Sequence, residues 1–256
     1  MFNFIYGIII LFATFAGAFV GLGGGVIIKP LLDLVGHDTV DVVNFLSSCA
    51  VFSMSISATA RHIQAKTKIN FKFIFTLSAG AVAGGICGSF LFDYLLTITD
   101  NTALKRIQGI ILGILLVLSV IYINLKKRKS FTVKNPAGII FSGFALGLTA
   151  SFLGVGGGPI NVAFLVLFFS MTMKEAAVYS VGIIFFSQLS KLITIAAAGS
   201  IPEFSFITLA VAVICAVCGG IIGAAANKKC NEKTIKIIFT ILVAAVAAVN
   251  FCNAIL

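Results

Sequence analysis

The chain has 256 residues, 60% of them hydrophobic and 10% charged, with a mean hydropathy of +1.16. A water-soluble domain carries about 25% charged residues, so this composition excludes a soluble globular enzyme and describes an integral membrane protein. The net charge of +10 does not point to nucleic acid: the basic residues lie in short loops between apolar runs, where they act as topology signals beside anionic membrane lipid.

The apolar runs fall at about 4–20, 25–36, 42–60, 71–92 and 104–124, then at 137–153, 159–170, 176–198, 204–226 and 235–254. Their lengths predict helices, since a helical span needs ~20 apolar residues, and they lack the period-two alternation of a membrane barrel. The N-terminus is apolar from Phe2 without a basic leader and reads as a mature first segment. A basic loop, 125–136, carries Lys126-Lys127-Arg128-Lys129, Lys134 and Pro136, and divides a first set of five segments (1–124) from a second (137–256).

Two glycine-rich stretches interrupt these runs: Gly21-Leu22-Gly23-Gly24-Gly25 and Gly154-Val155-Gly156-Gly157-Gly158. Glycine costs roughly 1 kcal/mol per residue in a helix interior, so each stretch predicts a break. Backbone groups freed inside a bilayer must be satisfied by protein, water or ligand. The two stretches align at an offset of 133 residues, as do Ser47 and Ser180. Ala83-Gly84-Gly85-Ile86-Cys87-Gly88 aligns with Cys218-Gly219-Gly220-Ile221-Ile222-Gly223 at 135, which predicts an internal duplication.

Charge sets the relative orientation of the halves. The loop with Arg61, Lys66, Lys68 and Lys72 is basic, whereas its mate around 199–206 holds only Glu203. The next loop, with Asp93, Asp100, Lys105 and Arg106, is neutral, whereas its mate at 228–236 is basic. Equivalent loops should therefore face opposite sides, with 61–72, 125–136 and 228–236 in the cytoplasm and 199–206, the loop with Asp33, Asp38 and Asp41, and both termini outside. The expected fold is an all-α polytopic membrane protein of two inverted-topology repeats, each of about five helical segments with a glycine-broken helical hairpin. The second legs, 25–36 and 159–170, are too short for the ~30 Å hydrocarbon core, so hairpins turning near the midplane are expected.

A helix starting at such a turn points its free N–H groups and positive dipole end into the protein. Pro159 suits a first helical position, where its missing N–H costs nothing. Two opposed turns would converge on a site for an anion, as in inverted-repeat transporters; close helix packing is the alternative reading of the glycines. Candidate substrate-binding residues are Gly21, Gly23, Gly24, Gly25, Gly154, Gly156, Gly157, Gly158, Pro159, Asn161, Ser47, Ser180, Gln188 and Lys191. Lys191 lies deep in an apolar run and reads either as a countercharge or as a lysine snorkelling outward. Lys29, Ser187 and Ser190 are further polar groups at membrane depth. His37 and His62 lie far apart in loops, Cys215-x-x-Cys218 has no partner pair, and neither a metal nor any other cofactor is expected.

The paired motifs, with Lys29-Pro30-Leu31-Leu32 after the first, resemble the sulfite exporter TauE/SafE family. The resemblance covers nearly the whole chain and carries the family glycines onto Gly21, Gly23, Gly24 and Gly25 and onto Gly154, Gly156, Gly157 and Gly158, and a family proline onto Pro30. The second copy departs, with Ala163 at that place and Pro159 instead. The resemblance implies a prokaryotic cell-membrane permease for sulfur-containing anions. The expected function is thus a non-enzymatic secondary transporter of small anions such as sulfite, an organosulfonate or a related sulfur oxyanion; an anion channel and a carboxylate permease are the alternatives. The expected partners are the anion and membrane lipid, not nucleic acid, and assembly into a homo-oligomer is compatible with the sequence. With no G-x-x-x-x-G-K-[ST] motif in the chain, an ion gradient is the simpler energy source.

Overall fold

The computed structural model describes residues 2–67, 69–98, 101–125, 130–153, 158–199 and 201–255. Ten helices follow one another: α1 (Phe2–Val20), α2 (Gly25–Val35), α3 (Val40–Gln64), α4 (Phe71–Ile98), α5 (Asn101–Asn124), α6 (Pro136–Phe152), α7 (Gly158–Phe169), α8 (Met173–Ala197), α9 (Phe206–Lys229) and α10 (Glu232–Ile255). There is no strand among the described residues. Seven of the helices are long and apolar enough to cross a membrane by length and composition: α1, α3, α4, α5, α8, α9 and α10. The many large apolar side chains left on the outside, such as Phe75, Phe90, Phe141 and Ile241, suit a lipid solvent. This is a polytopic helical membrane protein.

Hydropathy and hydrogen bonding do not stop at the same residue. Helix α4 runs six residues beyond its apolar run, so position 93, expected in a loop, is helical. Each helix pair flanking a glycine stretch has one long and one short leg. Helix α1, with 19 residues, is ~28 Å long at 1.5 Å per residue, whereas α2, with 11, is ~16 Å. Helices α6 and α7 repeat this with 17 and 12 residues. The first turn therefore sits deeper than the tip of a hairpin with two equal half-length legs.

Helix directions follow from contacts along the packing seams. Thr208 donates to Asn3, Gly219 lies on Leu11 and Thr14, Gly223 on Phe15 and Phe19, and Asn227 donates to the Phe19 carbonyl, so α1 and α9 run parallel. Helix α3 runs with them, from the Phe45–Phe204 ring contact to Lys228, whose ammonium donates to the Ala65 carbonyl. Helices α4, α6 and α8 run together: Gly84 lies on Phe144 and Gly88 on Leu148, while Phe73 meets Tyr179 and Phe75 meets Phe186. Because α4 leaves the loop at the end of α3, this second group runs opposite to the first. Helices α5 and α10 are antiparallel, with Gly113 against Phe251 and Asn124 bonded to Thr240.

Each short leg is the hub of its own core. Ile28 and Leu32 of α2 are buried among Ile10, Leu46, Met54 and Ala212, and Val162 and Leu165 of α7 among Leu22, Leu116, Ile183 and Phe239. Lys174, Lys228 and Arg61 lie at one end of the molecule, the basic end. There the Lys174 ammonium donates to the Lys228 and Cys230 carbonyls. Asp33, Asp38, Asp41 and Glu203 lie toward the other, acidic end, beside the start of α1. The far ends of both short legs are fastened to the start of their own long legs. At α7, Phe131 and Val133 donate backbone N–H groups to Leu167 and Phe168, and Ser170 (φ 53°) bonds to Ser130, Phe131 and Thr132. At α2, His37 packs on the Phe2 ring at 4.3 Å and edge-on to Tyr6.

Candidate functional site

The first glycine stretch is a left-handed turn. Gly21, Gly23 and Gly24 have φ of 83°, 77° and 73°, a region that costs other L-residues roughly 1–2 kcal/mol each. A side chain on Gly24 would also strike the Ala13 carbonyl, where the returning chain crosses α1. The Gly17 carbonyl accepts from Gly21 (2.8 Å) and Gly23, and the Gly24 carbonyl from Ile27 and Ile28. Ser180 of α8 closes the turn by donating to the Gly21 carbonyl at 2.7 Å. The amides of Gly25 and Val26, at the N-terminus of α2, have no acceptor among the described residues.

Those two residues reach a cavity of about 960 Å³. It extends from Asp33, Thr194 and Asn250, toward the acidic end, down to Gly25, Ala81, Gly147 and Ser187. One side is polar: Lys29 from α2, Asn44, Ser47 and Ser48 from α3, and Ser187, Gln188, Ser190 and Lys191 from α8. The other is largely apolar, with Val51, Ala81, Val82, Ile86 and Leu153. Pro30 has no N–H to give, so the Val26 carbonyl lacks its helical partner. Lys29 is half-buried, and the Lys191 side chain is exposed to the cavity space. Among the described residues neither ammonium has an acid within salt-bridge distance or a hydrogen-bond acceptor; the ion pair found is His37–Asp38, away from the cavity. Two unpaired cations, hydroxyl groups and a helix N-terminus thus face one space, which can hold an anion.

Of the residues expected at the site, Gly25, Ser47, Gln188 and Lys191 line the cavity. Gly21, Gly23 and Gly24 shape the turn but are buried, packed against Ala177, Ile184 and Ala13. Ser180 serves the turn as well. Gly158 is buried against the Leu22 carbonyl, so the start of α7 touches the first turn directly, and Pro159 and Asn161 are buried with it. Gly154, Gly156 and Gly157 lie outside the described residues. Asn44, Ser89, Ser151 and Asn250 also line the cavity and were not singled out from sequence. Each is a lone small polar residue in an apolar run, a pattern shared with buried packing residues such as Ser119 and Ser142.

The family pattern described as sulfite exporter TauE/SafE matches residues 6–250. The chain belongs to that family. It is also 26% identical to the probable membrane transporter protein YunE of Bacillus subtilis (strain 168), over 91% of both chains. TauE/SafE proteins are membrane transporters rather than enzymes, which places a small-molecule substrate and a membrane around this fold.

Proposed function

We propose that the chain is a secondary transporter of small anions, and that the anion binds between Lys29 and Lys191 at the N-terminus of α2. The observation that carries this reading is the pair of ammonium groups without acidic partners in a cavity at membrane depth. A cation at membrane depth is expensive unless it meets water or a counterion, and the free Gly25 and Val26 amides add the positive end of a helix. Ser47 from α3 and Gln188 from α8 are placed to supply hydrogen bonds. The cavity far exceeds a bare oxyanion, and its apolar wall suits a short organic tail. An organosulfonate therefore fits it better than sulfite alone.

The opposite directions of α1 and α6, α3 and α8, α4 and α9, and α5 and α10 support two inverted repeats and alternating access. With the basic end in the cytoplasm, both termini lie outside and this conformation faces outward. In sequence, the stretch 154–158 is the counterpart of the first glycine stretch at the 133-residue offset. Titrating purified protein with sulfite, thiosulfate, taurine, sulfoacetate, sulfate and acetate tests the assignment. Binding by a sulfur anion that is weakened in Lys191→Gln is expected; binding of none, or equal binding in the variant, would refute it. Saturable counterflow in proteoliposomes separates this transporter from a channel, which would give ohmic currents.

A further inference from the structure

The cavity is one half of a paired arrangement whose other half is shut. At the 133-residue offset, cavity-lining Ser47, Gln188, Ser190 and Ile195 correspond to Ser180, Ser55, Ser57 and His62. The correspondence is physical as well as numerical. Gly84 and Gly88 rest on Phe144 and Leu148, and their mates Gly219 and Gly223 rest on Leu11 and Phe15, which are the mates of Phe144 and Leu148. The second polar set lies on α3 and α8 toward the basic end, and it is closed off. Ser55 and Ser180 are 0% exposed and His62 is 2% exposed. A side chain on Gly220 would strike Met54 and Ser57 of α3, whereas its mate Gly85 faces the cavity with nothing from α8 beside it. Helix α3 therefore lies on α9 in the place where α8 stands off α4.

The closed half also holds unsatisfied polar groups. His62 Nε2 and Asn227 Oδ1 are buried without a hydrogen-bond partner. Such orphans are rare in native interiors and call for an explanation, which a second, hydrated conformation would supply for these two. We infer that the chain has a second vestibule at its basic end, opened when α3 leaves α9, with Ser55, Ser57, Ser180 and His62 lining it around Gly220. This inference rests on the inverted-repeat transporter reading above. The two halves are not equivalent in charge. Lys29 and Lys191 correspond to Val162 and Ala58, so the second vestibule lacks the two lysines that face the cavity, and the nearby Lys174 and Lys228 ammonium groups are engaged by backbone carbonyls.

The test is side-specific labelling of the full-length Ser47→Cys/Ser55→Cys double variant in sealed vesicles with a membrane-impermeant maleimide, each site read by peptide mass spectrometry. Reactivity at position 47 from the acidic side reports that the same molecule is folded. Modification at position 55 from the basic side only is expected. Ser57→Cys, at the half-buried edge of the same seam, replaces Ser55→Cys if the latter abolishes labelling at position 47. The vestibule is refuted if positions 55 and 57 stay unmodified from the basic side while position 47 reacts, or if they react from the acidic side. Radiolabelled sulfite and taurine counterflow in matched vesicles of the unsubstituted chain separates the two levels of argument. Saturable counterflow with positions 55 and 57 inert leaves a transporter without this vestibule, whereas ohmic flux with positions 47 and 55 open from both sides overturns the transporter reading itself.

Discussion

Lys29 and Lys191 come from different helices, and one lysine alone would define no binding position. Lys29 projects from a short helix whose acidic Asp33 lies one turn further on, toward the cavity mouth, without pairing with it. Lys191 comes from α8 across the space. Losing one charged hydrogen-bond partner of an anion costs about 1.5–3 kcal/mol, roughly tenfold to a hundredfold in affinity. Lys29→Gln and Lys191→Gln should each weaken anion binding by that factor, measured by calorimetry, with membrane expression unchanged. Ser180→Ala acts differently. It leaves the Gly21 carbonyl buried without its donor, a loss of about 1–3 kcal/mol, and should lower the thermal unfolding temperature in detergent. At this scale the sequence was partly legible. A lysine inside a long apolar run announces itself, as Lys191 did. Ser89 and Ser151 did not, because a lone serine bonds its own helix backbone as readily as it faces a cavity.

The elements were easier to read than the residues. Ten apolar runs became ten helices, because in a bilayer an apolar stretch has few alternatives that satisfy its backbone. Helix ends were less visible: α3 and α4 continue into polar sequence, where hydrogen bonding persists after hydropathy has fallen. The glycines also divided into kinds that spacing alone could not separate. Gly21, Gly23 and Gly24 are needed for their backbone angles, Gly25 opens onto the cavity, and Gly84 and Gly219 let helices touch backbone to backbone. Gly24→Leu combines a strained φ with a collision at the Ala13 carbonyl. It should abolish substrate binding while the protein still inserts into the membrane, checked by binding to membrane-extracted protein. Gly84→Leu and Gly219→Leu each push apart a pair of packed parallel helices. Both should reduce the yield of folded protein, seen as aggregation on size-exclusion chromatography.

For the whole molecule, the sequence's charge asymmetry and the observed helix directions point the same way from independent starting points. Lysines and arginines gather at one end, and helices related by the 133-residue offset run in opposite senses. Cysteines introduced at Ala65 and Ile201 should therefore be labelled from opposite sides of the membrane, the first from the cytoplasm. What the sequence could not convey was the conformation. A cavity toward the acidic end and a closed seam toward the basic end differ in which of two equivalent helices stands away from its neighbour, and both states satisfy the same hydropathy pattern.

The fastened ends of α2 and α7 have a mechanical consequence. A hairpin tied at its open end is a closed loop, so its tip cannot slide in depth without breaking the tie or bending the long leg. Two backbone hydrogen bonds and the Ser170 cluster make the α7 tie stiff, while ring contacts at His37 make the α2 tie softer. On the proposed alternating access, the two fastened helix pairs would act as stators and α3 and α8 would be the moving helices. Between the two ties, amide exchange should be slower at Phe131 and Val133 than around His37, with the widest change between states expected along the faces of α3 and α8.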